Sequence, residues 1–337
     1  MSVDEPAITY IVRCHSTSTL PKMKSALLSI AGQTYQPVKA LVALQDLAED
    51  DVATVKDITA PISDGTGLNI DVVNFEFPAK GDHRGALLNK ALECVKSRYV
   101  AFLNYDDVVY PHHAETLISD LKENADLGVV ASFGGCMRAY YDDLGDGAIY
   151  VTRKRLFRSQ ASVSDCIIEN CFPIHSYVLD MVGLPKLPRF GEDMHGFEDY
   201  IFLLELMEHY RVSTTYARLP LCEYRLNNDN SNTVAIKNLK ALRDREKEEI
   251  WRATQAEIDS GKRKRFFRVP YAEISAPGGT LILSKQPFLR GLFVCQIAKS
   301  IRKKIGPEEA EKFLRDPKRY ARSLPKKKRS LVFRLLF

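Results

Sequence analysis

The sequence lacks the features that mark secreted, membrane-spanning and repetitive proteins. No apolar stretch among its 337 residues approaches the roughly 20 residues that a membrane-spanning helix needs. The first residues contain no basic segment followed by an apolar core, so we expect no signal peptide. There is also no internal repeat and no low-complexity segment. These absences predict a globular protein of the cytoplasm.

Clustered cysteines are missing as well. The seven cysteines are dispersed along the chain, and no two of them form a Cys-x-x-Cys motif. An odd and dispersed set indicates reduced thiols in a cytosol, and it argues against a disulfide framework or a zinc site. The hydrophobic fraction of 45% and the charged fraction of 27% are ordinary for a soluble globular protein.

The net charge of +5 is unevenly distributed along the chain. From Lys285 onward, 16 Lys and Arg residues stand against 4 acidic residues. An amphipathic pattern at 288–305 and a basic run at 325–329 with an apolar end are typical of a segment that binds an anionic membrane surface. A helical hairpin packed on the body has the same pattern and stays an alternative. Aromatic residues do not recur through this tail at regular intervals, so we expect no nucleic-acid partner.

Strand-like and helix-like patterns alternate over roughly the first 100 residues. Short apolar or β-branched runs at 8–12, 39–44, 68–75 and 99–103 predict strands, and apolar residues at helical spacing predict helices between them. This alternation predicts an α/β fold with a mostly parallel, doubly wound sheet. Such sheets bind ligands beyond the carboxyl ends of their strands.

The strongest candidate site follows the apolar run at 99–103. Asn104, Asp106 and Asp107 lie just past the end of this predicted strand. Two adjacent carboxylates repel each other unless a positive group lies beside them, and a divalent cation that carries a diphosphate is the usual solution. A solvated Asp-Asp turn is the alternative for an isolated pair. Three further sequence patterns favour a bound cation over a solvated turn.

Four local patterns occur in a particular order along the chain. They are Gln33-Thr34-Tyr35 after the first strand, Arg84-Gly85-Ala86, Asn104-Tyr105-Asp106-Asp107, and Glu198-Asp199 with Tyr224-Arg225 after it. Their order resembles that of the family 2 glycosyltransferases, which are inverting enzymes of the GT-A fold that use nucleotide-diphospho-sugars. The resemblance spans residues 8–233.

This resemblance implies the parts of a sugar-transfer mechanism. Asp106 matches the carboxylate that contacts a divalent metal, Mn²⁺ or Mg²⁺, which neutralises the departing diphosphate. Asp107 would contact the metal directly or through water, or hold the sugar. Asp199 matches the general base that takes the proton of the acceptor hydroxyl, and Glu198 would orient it or contact the acceptor. The alternative is that both are ordinary first-turn acids favoured by the helix dipole.

The resemblance also implies contacts to the nucleotide-sugar. The matching positions are Cys14, His15, Gln45, Asp46, Arg84 and Asn104. Arg84 would pair with the diphosphate through its guanidinium group, and His15 would stack on the base. Cys14 is expected to be a small filler. Asn104 and Gln45 each stand where the family more often has an acid.

One metal-binding position departs from the family pattern. The family often supplies a histidine to the metal late in the domain, but this chain has Asn227 at that position. Either Asn227 ligates weakly, or the metal depends on Asp106, the diphosphate and water. A lone histidine such as His175 is more often structural than a ligand.

Together these interpretations predict a GT-A domain at 1–235, with a nucleotide-binding half at about 1–124 and an acceptor half at about 125–235. Residues 236–337 are predicted to form a helical brace and a basic amphipathic extension. The predicted activity is metal-dependent inverting transfer from a nucleotide-sugar, with UDP-sugars favoured, to a glycan or lipid-linked acceptor. By analogy we expect a role in bacterial surface polysaccharide or glycan synthesis, in the cytoplasm or on the inner face of the membrane.

Two other function classes stay open. A nucleotidyltransferase would use similar sheets and aspartates, but the first strand is not followed by a glycine-rich phosphate loop. The departures at Asn104, Gln45 and Asn227 suggest, in turn, a non-catalytic module that binds a nucleotide-sugar or a glycan.

Overall fold

The structure is a computed structural model. It describes residues 7–14, 17, 20–79, 81–145, 147–157, 162–192, 194, 196–228, 245–263, 265, 267–270, 280–283, 301, 306–315 and 317–323. His15 lies outside the described residues, and so do the segments predicted to bind a membrane, apart from Ile301. What the sequence predicts for them stays a prediction, as do the proposed domain boundaries.

The first half of the chain alternates strands with helices, as the sequence predicts. The strands are β1 (Ile8–Cys14), β2 (Val38–Gln45), β3 (Asn69–Phe75) and β4 (Tyr99–Asn104), and the helices are α1 (Leu20–Ala31), α2 (Glu49–Thr66) and α3 (Arg84–Cys94). The four strands are parallel and lie in the order β3-β2-β1-β4. Their carboxyl ends therefore lie along one edge of the sheet.

Beyond β4 the same sheet becomes mixed. The next elements are β5 (Val108–Val109), α4 (His113–Glu123), β6 (Val129–Gly145), β7 (Ala148–Leu156), α5 (Val163–Ile168), β8 (Tyr177–Asp180), α6 (Glu198–His209) and β9 (Arg211–Asn227). β8 is antiparallel to β4 and β6, whereas β9 is parallel to β6. The α/β class is confirmed, and the parallel character holds for the first four strands. β6 and β7 can pair antiparallel because a short hairpin joins them, whereas parallel neighbours need a long crossover.

The C-terminal region adds helices and a two-stranded sheet. Its described elements are α7 (Arg245–Arg263), β10 (Phe267–Pro270), β11 (Thr280–Leu283), α8 (Pro307–Arg315) and α9 (Pro317–Ser323). Ile258 of α7 and Phe313 of α8 are buried in the same core cluster as the apolar face of α6. These helices therefore pack on the body. Within the described ranges, no helix is long and apolar enough to cross a membrane.

The central sheet is covered on both faces, which explains the apolar run of β4. Val100 and Phe102 point into a core shared with α3 and α6, whereas Ala101 and Leu103 point into a core shared with α1 and α4. Successive side chains of a strand alternate between faces, so a strand buried on both sides reads as continuously apolar. The two cores fix the strand ends that carry the candidate site.

Candidate active site

The polar residues that follow β1 and β4 lie side by side. The two strands are parallel neighbours, and their register pairs Arg13 with Asn104. The chain then turns, and the Asp107 amide donates to the Asn104 carbonyl oxygen at 3.2 Å. The sheet topology thus brings Arg13 to the turn that carries Asp106.

Arg13 joins this turn to the start of α6. Its Nη2 donates to Asn104 Oδ1 at 3.0 Å, and its Nη1 donates to Glu198 Oε1 at 2.9 Å. Asp106 and Asp199 are close in sequence to these two partners, so both acids lie around one guanidinium group. Arg13 also counteracts the pKa increase of both carboxyl groups. In the sequence, Arg13 is marked only by its charge near the end of a mostly apolar strand, a signal that predicted no role for it.

Asp199 lies in a largely dry position at the second residue of α6. Burial raises its pKa to about 7, the negative charge of Glu198 adds to this increase, and Asn170 and Arg13 oppose it. Asn170 Nδ2 lies 3.4 Å from both carboxylate oxygens. A carboxyl group with this pKa can accept a proton near neutral pH.

Asp106 is partly buried and faces the same cationic groups. Burial raises its pKa above the ordinary value, whereas the positive charges of Arg13 and Lys22 lower it. The Asp106 charge in turn adds to the burial that raises the pKa of Tyr105 to about 12. No side chain in the described part of the protein donates a hydrogen bond to the Asp106 carboxylate. This carboxylate therefore has oxygen lone pairs to offer a cation.

Asp107 is more deeply buried than Asp106. It is fully buried, and its Oδ1 accepts the Arg225 amide hydrogen at 2.8 Å. Its Oδ2 accepts from Asn104 Nδ2 at 3.0 Å and lies 3.2 Å from His175 Nδ1. This geometry favours a positioning role for Asp107 over direct contact with a metal in the cleft.

The same contacts explain the asparagine at position 104. Its amide oxygen accepts from Arg13 while its amide nitrogen donates to Asp107. An aspartate could accept from Arg13 but could not donate to Asp107. Asn104 therefore links the Arg13 guanidinium group to the buried Asp107 carboxylate.

Gln45 and Asp46 hold the loop that leads to α3. Gln45 Nε2 donates to the Gly81 carbonyl oxygen at 2.8 Å, and Gln45 Oε1 accepts from the His83 amide at 3.2 Å. Asp46 has a left-handed backbone, with φ of 49°, and its Oδ1 accepts from the Phe77 amide at 2.7 Å. Gln45 uses both amide atoms, which an acid could not do. Both side chains shape the predicted nucleotide-binding edge.

α3 presents Arg84 and Gly85 to the same region. Arg84 Nε lies 2.8 Å from Asp82 Oδ2, and the charges of Glu198 and Asp199 also act on the guanidinium group. A Cβ atom on Gly85 would collide with the carbonyl oxygen of Gly191. The start of α3 therefore lies directly against the segment that precedes α6.

Cys14 and Asn227 each lie at the end of a strand of the central sheet. Cys14 is fully buried at the end of β1, as expected for a small filler. Asn227 ends β9 in register with Tyr141 of β6. Burial raises the pKa of Tyr141 and the Asp106 charge adds to the increase, so the end of β9 lies near Asp106.

Three cations around the cleft each lie against a carboxylate. Arg13 is paired with Glu198, and Arg84 with Asp82. Lys22 Nζ lies 3.2 Å from Asp143 Oδ2. These three positive charges are therefore already balanced by neighbouring acids.

One protein-family model matches the part of the chain that contains the turn after β4. The family model described as Glycosyl transferase family 2 matches residues 21–179, which include the turn with Asp106 and Asp107. The chain carries a family 2 glycosyl transferase domain. The protein is thus a glycosyltransferase, and its α/β fold agrees with the GT-A fold that the motifs imply.

Two solved structures resemble the glycosyltransferase over nearly its whole length. TarS from S. aureus, residues 1–349 in complex with UDP-GlcNAc, is 13% identical with a TM-score of 0.47, and the match covers 98% of this chain and 87% of that one. The mannosyltransferase PcManGT from Pyrobaculum calidifontis, in complex with GDP-Man and Mn²⁺, is 17% identical with a TM-score of 0.49, and the match covers 99% and 85%. No curated protein sequence matches the glycosyltransferase significantly.

Proposed function

We propose that this glycosyltransferase moves a sugar from a nucleotide-diphosphate donor to an acceptor hydroxyl with inversion at the anomeric carbon. Asp199 is the general base, and Asp106 binds a divalent metal on the donor diphosphate. The observation that carries the proposal is the position of Arg13, which contacts both Asn104 and Glu198. It supports one cleft that contains a donor-side acid and an acceptor-side acid.

The acceptor-side pair supports direct displacement by the acceptor. Glu198 is buried and neutralised by Arg13, so Asp199 is the acid of this pair that is free to take a proton. Its pKa of about 7 suits a base that must be ionised before the reaction and protonated after it. Asn170 donates to the carboxylate and thereby orients it. One such base activates the acceptor hydroxyl, without a covalent sugar–enzyme species.

The charges around the cleft fit a divalent metal. A donor diphosphate carries at least two negative charges, and Arg13, Arg84 and Lys22 are each balanced by an acid already. Asp106 offers carboxylate oxygens, which hard cations such as Mn²⁺ and Mg²⁺ bind well. Asp106 would hold the metal, with Asn227 as a further candidate. When bound, the metal would act as a Lewis acid that neutralises the departing diphosphate.

We extend the proposal to the substrates of the enzyme and to its location in the cell. UDP-sugars are the favoured donors, and the acceptor is a glycan or a lipid-linked glycan of a bacterial surface polysaccharide pathway. The basic extension would hold the cytoplasmic enzyme against the anionic inner face of the membrane, where such acceptors lie.

The first experiment separates donor binding from catalysis. UDP- and GDP-sugars are screened for thermal stabilisation of the protein with Mn²⁺, with Mg²⁺ and with EDTA, and the best donor is used in a transfer assay. Asp199→Asn should lower acceptor-dependent turnover by about 100-fold or more, while the donor dissociation constant changes little. Asp50→Asn is the matched control, because Asp50 is also the second residue of its helix, α2, but is exposed.

Two outcomes would remove the proposal. Full activity of Asp199→Asn would exclude Asp199 as the base. A product whose anomeric configuration matches that of the donor, measured by NMR coupling constants, would exclude direct displacement.

A further inference from the structure

A second cluster of ligand-type side chains lies in the interior behind the Asp106–Asp107 turn. Cys136 of β6, Cys222 of β9 and His175, which precedes β8, are all buried. The two thiol sulfurs and one imidazole nitrogen lie within 4.8 Å of one another. The sequence spacing argued against a zinc site, because the three residues lie far apart along the chain. The sheet brings them together, since the register of β6 and β9 pairs Cys136 with Cys222.

The distances in this cluster suit a tetrahedral metal ion. Cys136 Sγ lies 3.5 Å from His175 Nε2. In a tetrahedral zinc site, with Zn–S of about 2.3 Å and Zn–N of about 2.0 Å, the sulfur and nitrogen atoms are separated by about 3.5 Å. The Cys222 sulfur needs to approach the other two ligand atoms by no more than about 1 Å to complete the same geometry.

The other imidazole nitrogen has the partner that metal-binding histidines need. His175 Nδ1 lies 3.2 Å from Asp107 Oδ2, although the two atoms are not aligned for a regular hydrogen bond. A carboxylate in this position fixes the ring and leaves Nε2 for the metal, as in many carboxylate–histidine–zinc arrangements. Nε2 is the nitrogen that faces Cys136.

The types of ligand in the cluster also suit zinc. Two thiols and one imidazole lie together in the protein interior. Two sulfur ligands and one nitrogen ligand select zinc over the hard cations proposed for the cleft.

We propose that Cys136, His175 and Cys222 bind a structural zinc ion. The zinc ion joins β6, β9 and the segment before β8 at one point. Through His175 it supports Asp107, which in turn holds Asn104 and the Arg225 amide. The zinc site therefore positions the turn that carries Asp106, without contact with the substrate.

The test is the metal content of the purified full chain. After dialysis with a reductant against a weak chelator, the wild type should retain about one zinc per chain by mass spectrometry of the elements. Cys136→Ser/Cys222→Ser should contain none, and Cys166→Ser should retain zinc, because Cys166 is equally buried in α5 but lies outside the cluster. Asp106→Asn should also retain it, which separates this site from the metal site proposed in the cleft.

A second measurement needs no substitution. Protein produced in zinc-depleted medium with cobalt should show the charge-transfer absorption of thiolate-bound Co²⁺, which a site of carboxylates and water cannot give. Absence of this absorption overturns the proposal, even where the double variant fails to fold. The proposal is also overturned if the double variant still contains zinc, or if the wild type contains none.

Discussion

Replacement of Asp199 by asparagine should stop the proposed reaction. At the same pH, the substitution should stabilise the folded enzyme. The pKa of Asp199 rises from its ordinary value of 3.8 to about 7 in the folded protein, chiefly because of burial. Because the folded pKa is above the unfolded pKa, the wild type loses stability as the pH rises from about 4 to about 7. Asparagine has no charge to bury, so the variant does not incur this loss.

The size of the effect follows from the same shift. Three pKa units correspond to about 4 kcal/mol, and since solvent reaches part of the side chain and Glu198 is coupled to it, we take roughly half, ~2 kcal/mol. Loss of the favourable interaction with the helix dipole removes about 0.5 kcal/mol. The variant should therefore gain about 1.5 kcal/mol at pH 8, or roughly 3 °C in Tm for a protein of this size.

Thermal unfolding followed by circular dichroism at several pH values measures this difference. The gain of Asp199→Asn over the wild type should be small at pH 4, about half complete at pH 5.5 and constant above pH 7. Asp50→Asn, at the same position of an exposed helix start, should lower Tm slightly or leave it unchanged at each pH. An Asp199→Asn variant that melts below the wild type at pH 8 would refute the reasoning. It would make Asp199 an ordinary first-turn acid.

Three other substitutions test the contacts of the cleft. Arg13→Gln should raise the pKa of Asp199 by about one unit. As a result, kcat/KM should fall roughly fivefold at pH 7 and recover at pH 9. An unshifted pH profile would contradict the electrostatic role of Arg13. Asp106→Asn should weaken donor binding at least about tenfold in calorimetry with Mn²⁺, and the difference should disappear in EDTA. Gly85→Ala should cost about 1–3 kcal/mol in urea unfolding, because its methyl group displaces the Gly191 carbonyl; wild-type stability would show that the contact is loose.

The sequence was sufficient to predict the α/β class, and it also marked the pair of acids that we propose for the mechanism. Apolar runs of strand length mark β1 to β4, and Asp106 follows the strand that is buried on both faces. Patterns of this kind are local, so they can be found without coordinates. The same holds for Asp199, which begins a helix with a long apolar face.

What the sequence could not predict depends on contacts between distant segments. The adjacent acids Asp106 and Asp107 look equivalent in sequence, yet successive residues of a turn point in different directions. Arg13 gains its role only because β1 pairs with β4 and α6 begins nearby. The Cys136–Cys222 pair arises from the register of two strands about 80 residues apart, a separation that no spacing rule covers.

The different surroundings of the two aspartates have a consequence for protein engineering. A designer who moves only the Asp-Asp dipeptide into another α/β scaffold would seal one anion in a dry interior without its partners. His175 and the strand that contributes the Arg225 amide would have to be transplanted with it. The smallest portable unit is therefore a set of three separate segments, because the short motif alone would destabilise its host.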